Sequence, residues 1–518
     1  MTEWFRRFVS PSRTGGRDSV FDTSHLDEGI GARTANSALL TVISSALIFA
    51  LQIAQLAILS RLLSPEDFGL VGMAMVATGF IRLFADVGLA TATIQREEID
   101  QAFVSAVFYI DMIVSIGLML LCLIAAPVSA AIFSEPRVTL MVIVLALTFP
   151  LGPLRGQHQA LLARRMQFVR INLTRVASNL LGAAAAILGA WLWDLGYWSI
   201  VLGMVVQDVA WVLLSWIAQP WLPSRPTTLA PGRSALGFGI NLLLANLAGW
   251  LWKQADRALL GWRWNATELG YYTRAYSVLM VPLSLVSGPL GAAVIPALSR
   301  LQNRQTEWLD LTLTSARAMA FFAGLMTLGL ALNAQFIIDL LLGPGWEYSV
   351  SIFLFLALSL YPGFIWEHAR FVFISKGRTD AMRNYSFGAA LAHVAAFAAG
   401  VQWGAIGVAI SLAIVSALVT PALLVMTARV ADCPVRTLAA PFLPSFLAMA
   451  IIGGVFLVLP PEYIYSEGWG ITIAKSAAIL VLYSGCHFAL LPLAKGWRDD
   501  ALRLRRLTES YFAERRQR

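Results

Sequence analysis

Charge is what this chain has least of. Only 13% of its 518 residues are Asp, Glu, Lys or Arg, where a soluble domain carries about a quarter. That scarcity excludes an ordinary water-soluble enzyme. Cysteine is nearly as rare: Cys122, Cys433 and Cys486 lie far apart, which fits neither a disulfide framework nor a metal-binding cluster. Period-two alternation of polar and apolar residues is missing, which excludes a β-barrel. No G-x-x-x-x-G-K-[ST] phosphate loop occurs, and no connection is long enough to hold a nucleotide-binding domain. An apolar core close to the start is also lacking. The polar leader 1–36 therefore reads as a disordered cytosolic arm and not as a cleaved signal peptide.

What is present is apolar length. Hydrophobic residues make up 58% of the chain, the mean hydropathy is +0.70, and the apolar residues gather into runs of about 20 or more, enough to cross a ~30 Å hydrocarbon core. About fourteen spans are expected, near 37–60, 67–94, 102–127, 138–160, 171–194, 197–221, 234–262, 267–297, 312–340, 348–374, 382–401, 404–428, 437–459 and 470–493. The fold class is an all-α polytopic membrane protein.

Basic residues give the orientation. Arg96, the set Arg155, Arg164, Arg165 and Arg170, and further groups up to Arg429 and Arg436 fall in alternate loops. Both termini are basic as well. The intervening loops offer little beyond Arg61, Arg137 and Arg263 and carry acidic stretches such as "LPPEYIYSEGWG" (459–470). That bias places both termini and the basic loops in the cytoplasm. The net charge of +8 is then an orientation signal, with no nucleic-acid partner implied. The basic tail 494–518 is read either as an amphipathic helix on the inner leaflet or as a solvated end that only fixes topology.

Two segments resemble each other. "ILSRLLSPEDFGLVGMAMV" (58–76) aligns with "LLGWRWNATELGYYTRAYS" (259–277), and "DVGLATATIQR" (86–96) loosely with "VSGPLGAAVIPALSR" (286–300). Both copies begin with the same orientation, as parallel six-span repeats do. The expected organisation is an arm (1–36), an N-terminal lobe (37–221), a cytosolic linker (222–233), a C-terminal lobe (234–428), two further spans (429–493) and the tail (494–518).

The pieces "SRLLSPEDFGLVGMAM", "FADVGLATATIQR", "DRALLGWRWNATELGYYTRAYSVLMVPL" and "GPLGAAVIPALSRLQ" are similar to the polysaccharide transporter branch of the multidrug/oligosaccharidyl-lipid/polysaccharide (MOP) exporter superfamily, and most to Wzx-type flippases. The resemblance implies a V-shaped pair of six-helix lobes plus two helices, in a bacterial inner membrane. It also implies export of an undecaprenyl-pyrophosphate-linked oligosaccharide for exopolysaccharide, capsule or O-antigen synthesis. A polysaccharide polymerase and chain-length machinery would be partners, and no cofactor is expected.

Charges inside spans mark pathways or buried pairs, because each is costly in hydrocarbon. In "LWKQADRALLGW" (251–262), Lys253, Asp256 and Arg257 share a helix face at i, i+3 and i+4, leaving one positive charge in excess. Arg82, Arg274 and Arg317 join them as candidate contacts for an anionic pyrophosphate, which the guanidinium fork suits. Asp86, Asp111, Asp208 and Asp256 are the carboxylates available to couple transport to H⁺ or Na⁺. The competing structural reading makes Arg82–Asp86 and Glu367–Arg370 self-neutralised pairs, and His393 a hydrogen-bonded interior residue. A cation-coupled drug exporter would share the fold, but its cavity is expected to be acidic. Lipid II export fits a basic cavity but matches the quoted pieces less well. A membrane-embedded glycosyltransferase or polymerase would need an acid–base constellation that is not visible here.

Overall fold

The computed structural model describes residues 30–82, 93–94, 96, 99–224, 254–458 and 469–491, without side chains at 30–39, 82, 457 and 469. Helices account for nearly all of them. The first described stretch holds α1 (Ile30–Leu62) and α2 (Pro65–Arg82). The second holds α3 (Gln101–Phe133), α4 (Arg137–Ala146), α5 (Leu151–Arg164), α6 (Phe168–Leu192) and α7 (Tyr197–Ala218). After the helical residues 254–263, called α8, come α9 (Ala266–Arg300), α10 (Gln305–Leu332), α11 (Ala334–Leu341), α12 (Glu347–Leu358) and α13 (Leu360–Ser375). Then follow α14 (Thr379–Gly400), α15 (Gly404–Ala431), α16 (Val435–Ala439), α17 (Leu443–Val458) and α18 (Trp469–Leu490).

Among the described residues, ten helical stretches are long and apolar enough to cross a membrane, or eleven when the bent pair α12–α13 counts as one span. The expected spans 67–94 and 234–262 are described only over 67–82 and 254–262. The first helix begins at Ile30 and so takes in the end of the expected arm. The rest of that arm, the linker from 225 onward and the basic tail lie outside the described residues. Leucines and isoleucines such as Ile124, Leu391 and Leu418 stand more than two-thirds exposed, as side chains facing lipid must.

Two expected spans are broken, and proline explains both. The stretch 138–160 divides into α4 and α5 at Pro150. A proline ring clashes with the carbonyl four residues before it, here that of Ala146, where α4 ends. The stretch 348–374 bends by 43° between α12 and α13. Pro362 directs the same clash at Leu358, the last residue of α12.

The chain divides into two compact units, 1–270 with 341–345, and 271–340 with 346–518. In the first, α6 runs along α7 and α1 along α6, while α3, α4 and α5 pack around them. The α6–α7 contact is close because it is made of small residues. A Cβ on Gly182 would sit 2.8 Å from the Gly203 carbonyl oxygen, and one on Gly203 would sit 2.7 Å from the Ala186 Cβ. Membrane helices approach each other through such small residues. In the second unit α14 lies on α15, and α10 packs against α12, α13, α17 and α18. There Tyr483 of α18 donates a 3.0 Å hydrogen bond to the Phe321 carbonyl of α10.

The two units share a feature of local geometry. Hairpin α6–α7 turns through Gly196 at φ 53°, and hairpin α14–α15 through Gly404 at φ 70°. Both are left-handed conformations that glycine adopts without a steric penalty. Each hairpin also has a glycine-lined crossing: at Gly400 and Gly407 in the second unit, Gly182 and Gly203 in the first.

Candidate functional site

The charged residues singled out by sequence divide into three groups. Lys253 and Asp86 lie outside the described residues. Arg82 ends α2, but its side chain is likewise undescribed, so the Arg82–Asp86 pairing carries no structural account. The others are placed.

Asp256 is buried at 3% exposure, one residue from the half-buried Arg257 on α8. Its Oδ1 accepts a 2.7 Å bond from the Arg257 backbone N–H, and the Arg257 guanidinium donates to Gln254 Oε1 at 3.0 Å. Arg274 sits half-buried on α9, roughly 12 Å of helical rise beyond Ala266. It is flanked by Tyr272, which is buried and stacks on Tyr276 with ring centroids 6.1 Å apart. Arg317 is half-buried on α10, roughly 18 Å of rise from Gln305 and 22 Å from Leu332.

The carboxylates differ from one another. Asp111 of α3 is 9% exposed, one turn before the buried Ser115. Asp208 of α7 is held by a residue that sequence reasoning put elsewhere: Arg155 Nη1 lies 2.8 Å from its Oδ1. The sequence places Arg155 among the loop cations that set orientation. It belongs instead to α5, where its guanidinium also covers the Trp211 ring at 4.1 Å. Around that pair the polar run "RGQHQ" (155–159) forms a network. Gln159 donates to Ser215 Oγ at 2.7 Å and Thr174 Oγ1 at 3.2 Å. Thr93 donates to Gln157 at 2.9 Å, and His158 stacks on Trp216 at 4.6 Å. The available signal was the density of polar residues in the second half of an expected span.

Other intramembrane charges have structural partners. Arg370 reaches Glu367 Oε2 through two nitrogens, at 2.7 and 3.0 Å, so this pair is neutralised within α13. His393 is bonded to the Ala389 carbonyl at 2.7 Å and to Ser416 at 3.3 Å, as an interior histidine would be. His368 is buried against the Thr312 carbonyl at 3.0 Å. At the loop between α3 and α4, Arg137 bridges Glu135 at 2.7 Å and Glu66 at 2.6 Å. The hydrogen bond from Arg137 holds the Glu135 carboxyl below its usual range.

An all-helical bundle of apolar spans, with arginines within several of them, defines a polytopic membrane protein. Solved structures show which fold. The lipid II flippase MurJ, in an inward closed conformation, superimposes with a TM-score of 0.70 over 88% of this chain and 99% of its own, at 14% identity. A multidrug resistance MATE family transporter of the MOP superfamily, facing inward, gives 0.57 over 79% of this chain and 95% of its own, at 16% identity.

The chain belongs to the polysaccharide biosynthesis protein family, whose model matches residues 58–351. Teichuronic acid biosynthesis protein TuaB of Bacillus subtilis is 24% identical over 71% of this chain and 76% of its own. Lipopolysaccharide biosynthesis protein WzxC of Escherichia coli is 22% identical over 74% and 78%. Succinoglycan biosynthesis transport protein ExoT of Rhizobium meliloti is 22% identical over 62% and 64%.

Proposed function

We propose that this protein is a flippase that carries an undecaprenyl-pyrophosphate-linked oligosaccharide from the inner to the outer leaflet of the cytoplasmic membrane, for exopolysaccharide, capsule or O-antigen assembly. The observation that carries the reading is family membership together with relatives named for teichuronic acid, lipopolysaccharide and succinoglycan biosynthesis. The physical chemistry agrees. Moving a pyrophosphate across hydrocarbon carries a large desolvation cost, and arginine offsets it with paired, charge-assisted hydrogen bonds. Arg257, Arg274 and Arg317, with Lys253 and Arg82, are the residues assigned to that path.

Alternating access between two six-helix lobes supplies the motion, driven by an H⁺ or Na⁺ gradient. Asp86, Asp111, Asp208 and Asp256 are the coupling candidates; Asp111 and Asp256 are buried, and Asp208 pairs with Arg155. The test is deletion and complementation. A strain lacking the protein accumulates lipid-linked repeat units that reagents outside the cytoplasmic membrane do not reach, and the wild-type gene restores outward exposure and polymer. Restoration of drug resistance with no change in polymer would contradict the proposal.

A further inference from the structure

The turn that joins α5 to α6, "RRMQFVR" (164–170), holds arginines at both ends and no acid. It lies between the candidate spans Arg137–Arg164 and Phe168–Leu192, and so stands at the depth of lipid headgroups. Arg164 is bonded to the carbonyls of Thr93 and Ile94, each at 3.3 Å, and to that of Arg96. The other two are placed differently. Arg165 and Arg170 are half-buried, and near enough for the charge of one to act on the other. Arg170 donates to the Ala218 carbonyl at 2.9 Å, while Arg165 Nε is buried with no hydrogen-bond partner. Among the described residues, neither guanidinium forms an ion pair with a carboxylate. Arg170 also sits in the first turn of α6, where the helix dipole disfavours a cation.

The second unit has a similar turn that is neutralised. Between α13 and α14, "KGRTD" (376–380) bends through Gly377 at φ 66°, where the first turn bends through Met166 at φ 52°. There Arg378 is bonded to Asp380 through two nitrogens, at 2.9 and 3.0 Å, and the Lys376 ammonium lies 4.1 Å over the Trp308 ring. Asp380 stands in the first turn of α14, whereas the first turn of α6 has no acid. With Met166 set on Gly377, the place of Asp380 is taken by Val169. A purely topological signal needs no burial: Arg383 and Arg436, which count equally towards orientation, are exposed. Two guanidiniums held partly out of water without a counter-charge are costly unless an anion joins them.

We propose that Arg165, Arg170 and Arg175 form a binding site for the phosphate of an anionic phospholipid whose acyl chain lies along α6. The surface beside the turn selects a lipid over a free anion. Val169 is 44% and Leu180 54% exposed, about three turns apart on one side of α6. That apolar strip begins at the arginines and runs into the membrane, as an acyl chain does. Arg175, exposed between them, has an aliphatic stem long enough to return its charge to headgroup level. The planar guanidinium forks match phosphate oxygens in pairs, and the phosphate supplies the counter-charge that Asp380 supplies in the second unit. The inference does not rest on the flippase reading; it requires only that the chain spans a membrane.

The test titrates full-length protein in non-ionic detergent with phosphatidylglycerol, and with phosphatidylcholine as the neutral probe, and counts bound lipid by native mass spectrometry. Phosphatidylglycerol is expected to bind about tenfold more tightly than phosphatidylcholine, and Arg165→Gln/Arg170→Gln to remove that preference. Arg378→Gln, whose cation is already paired, should leave it unchanged. Val169→Asp gives the first turn the acid that Asp380 gives the second. Because Val169 is exposed, this variant should keep the melting temperature of the wild type and still lose the preference. Equal binding of the two lipids, or a preference that survives both the double variant and Val169→Asp, would overturn the site. Displacement of phosphatidylglycerol by an equal concentration of inorganic phosphate would overturn the assignment to a lipid, and displacement by undecaprenyl pyrophosphate the assignment to a phospholipid.

Discussion

Breaking the Arg155–Asp208 pair separates structural ion pairing from transport chemistry in the first unit. The two side chains are 21% and 15% exposed and 2.8 Å apart, so the pair is neither a surface bridge nor fully desolvated. At that distance, with an effective dielectric constant of about 20, the direct attraction is about 6 kcal/mol. Desolvation offsets most of it. Stacking of Arg155 on Trp211 at 4.1 Å adds about 1 kcal/mol. Asp208→Asn and Arg155→Met should each destabilise the protein by about 2–4 kcal/mol, since each leaves an uncompensated charge or polar group. The double variant should cost less than the sum, with a coupling of about 1–3 kcal/mol. The assay is unfolding of purified protein along a gradient of sodium dodecyl sulfate in mild detergent. Effects that add to within about 0.5 kcal/mol would refute the pairing as a stabilising element.

Packing, docking and acid sensitivity give three further tests. Gly182→Val should destabilise the α6–α7 hairpin by about 1–3 kcal/mol through overpacking, whereas Gly117→Ala, with nothing within 4 Å, should be neutral or slightly stabilising in the same unfolding assay. Tyr483→Phe removes the hydrogen bond to Phe321 and should cost about 1 kcal/mol, read as earlier proteolysis of α18. Glu135 has a depressed carboxyl pKa, so its contribution is fully present above the ordinary value of 4.5 and fades as pH falls through the lower folded value. Glu135→Gln should therefore lower the melting temperature more at pH 6 than at pH 3, and an equal effect at both would refute the assignment.

Hydropathy alone located most helices, because a span must satisfy its backbone internally and shield it with about twenty apolar residues. It did not show the breaks at Pro150 and Pro362, since hydropathy is blind to a missing N–H. Arg155 was misplaced for a related reason. An arginine near the calculated end of a span looks like a loop cation, and only its partners, Asp208 and Trp211, reveal that it is inside. The Glu367–Arg370 pairing was legible because i, i+3 spacing fixes it locally. Lys253 and Asp86 remain sequence assignments.

The most direct test of the cationic path compares Arg257→Ala, Lys253→Ala and the double variant with Arg257→Lys, in a strain lacking the gene. Each variant is checked for membrane insertion. A charge-assisted hydrogen bond to phosphate contributes about 1.5–3 kcal/mol. Each alanine variant should therefore lower export by about 10- to 100-fold, with lipid-linked units accumulating on the inner leaflet and Arg257→Lys retaining part of the activity. Undiminished export from a well-inserted double variant would contradict the account.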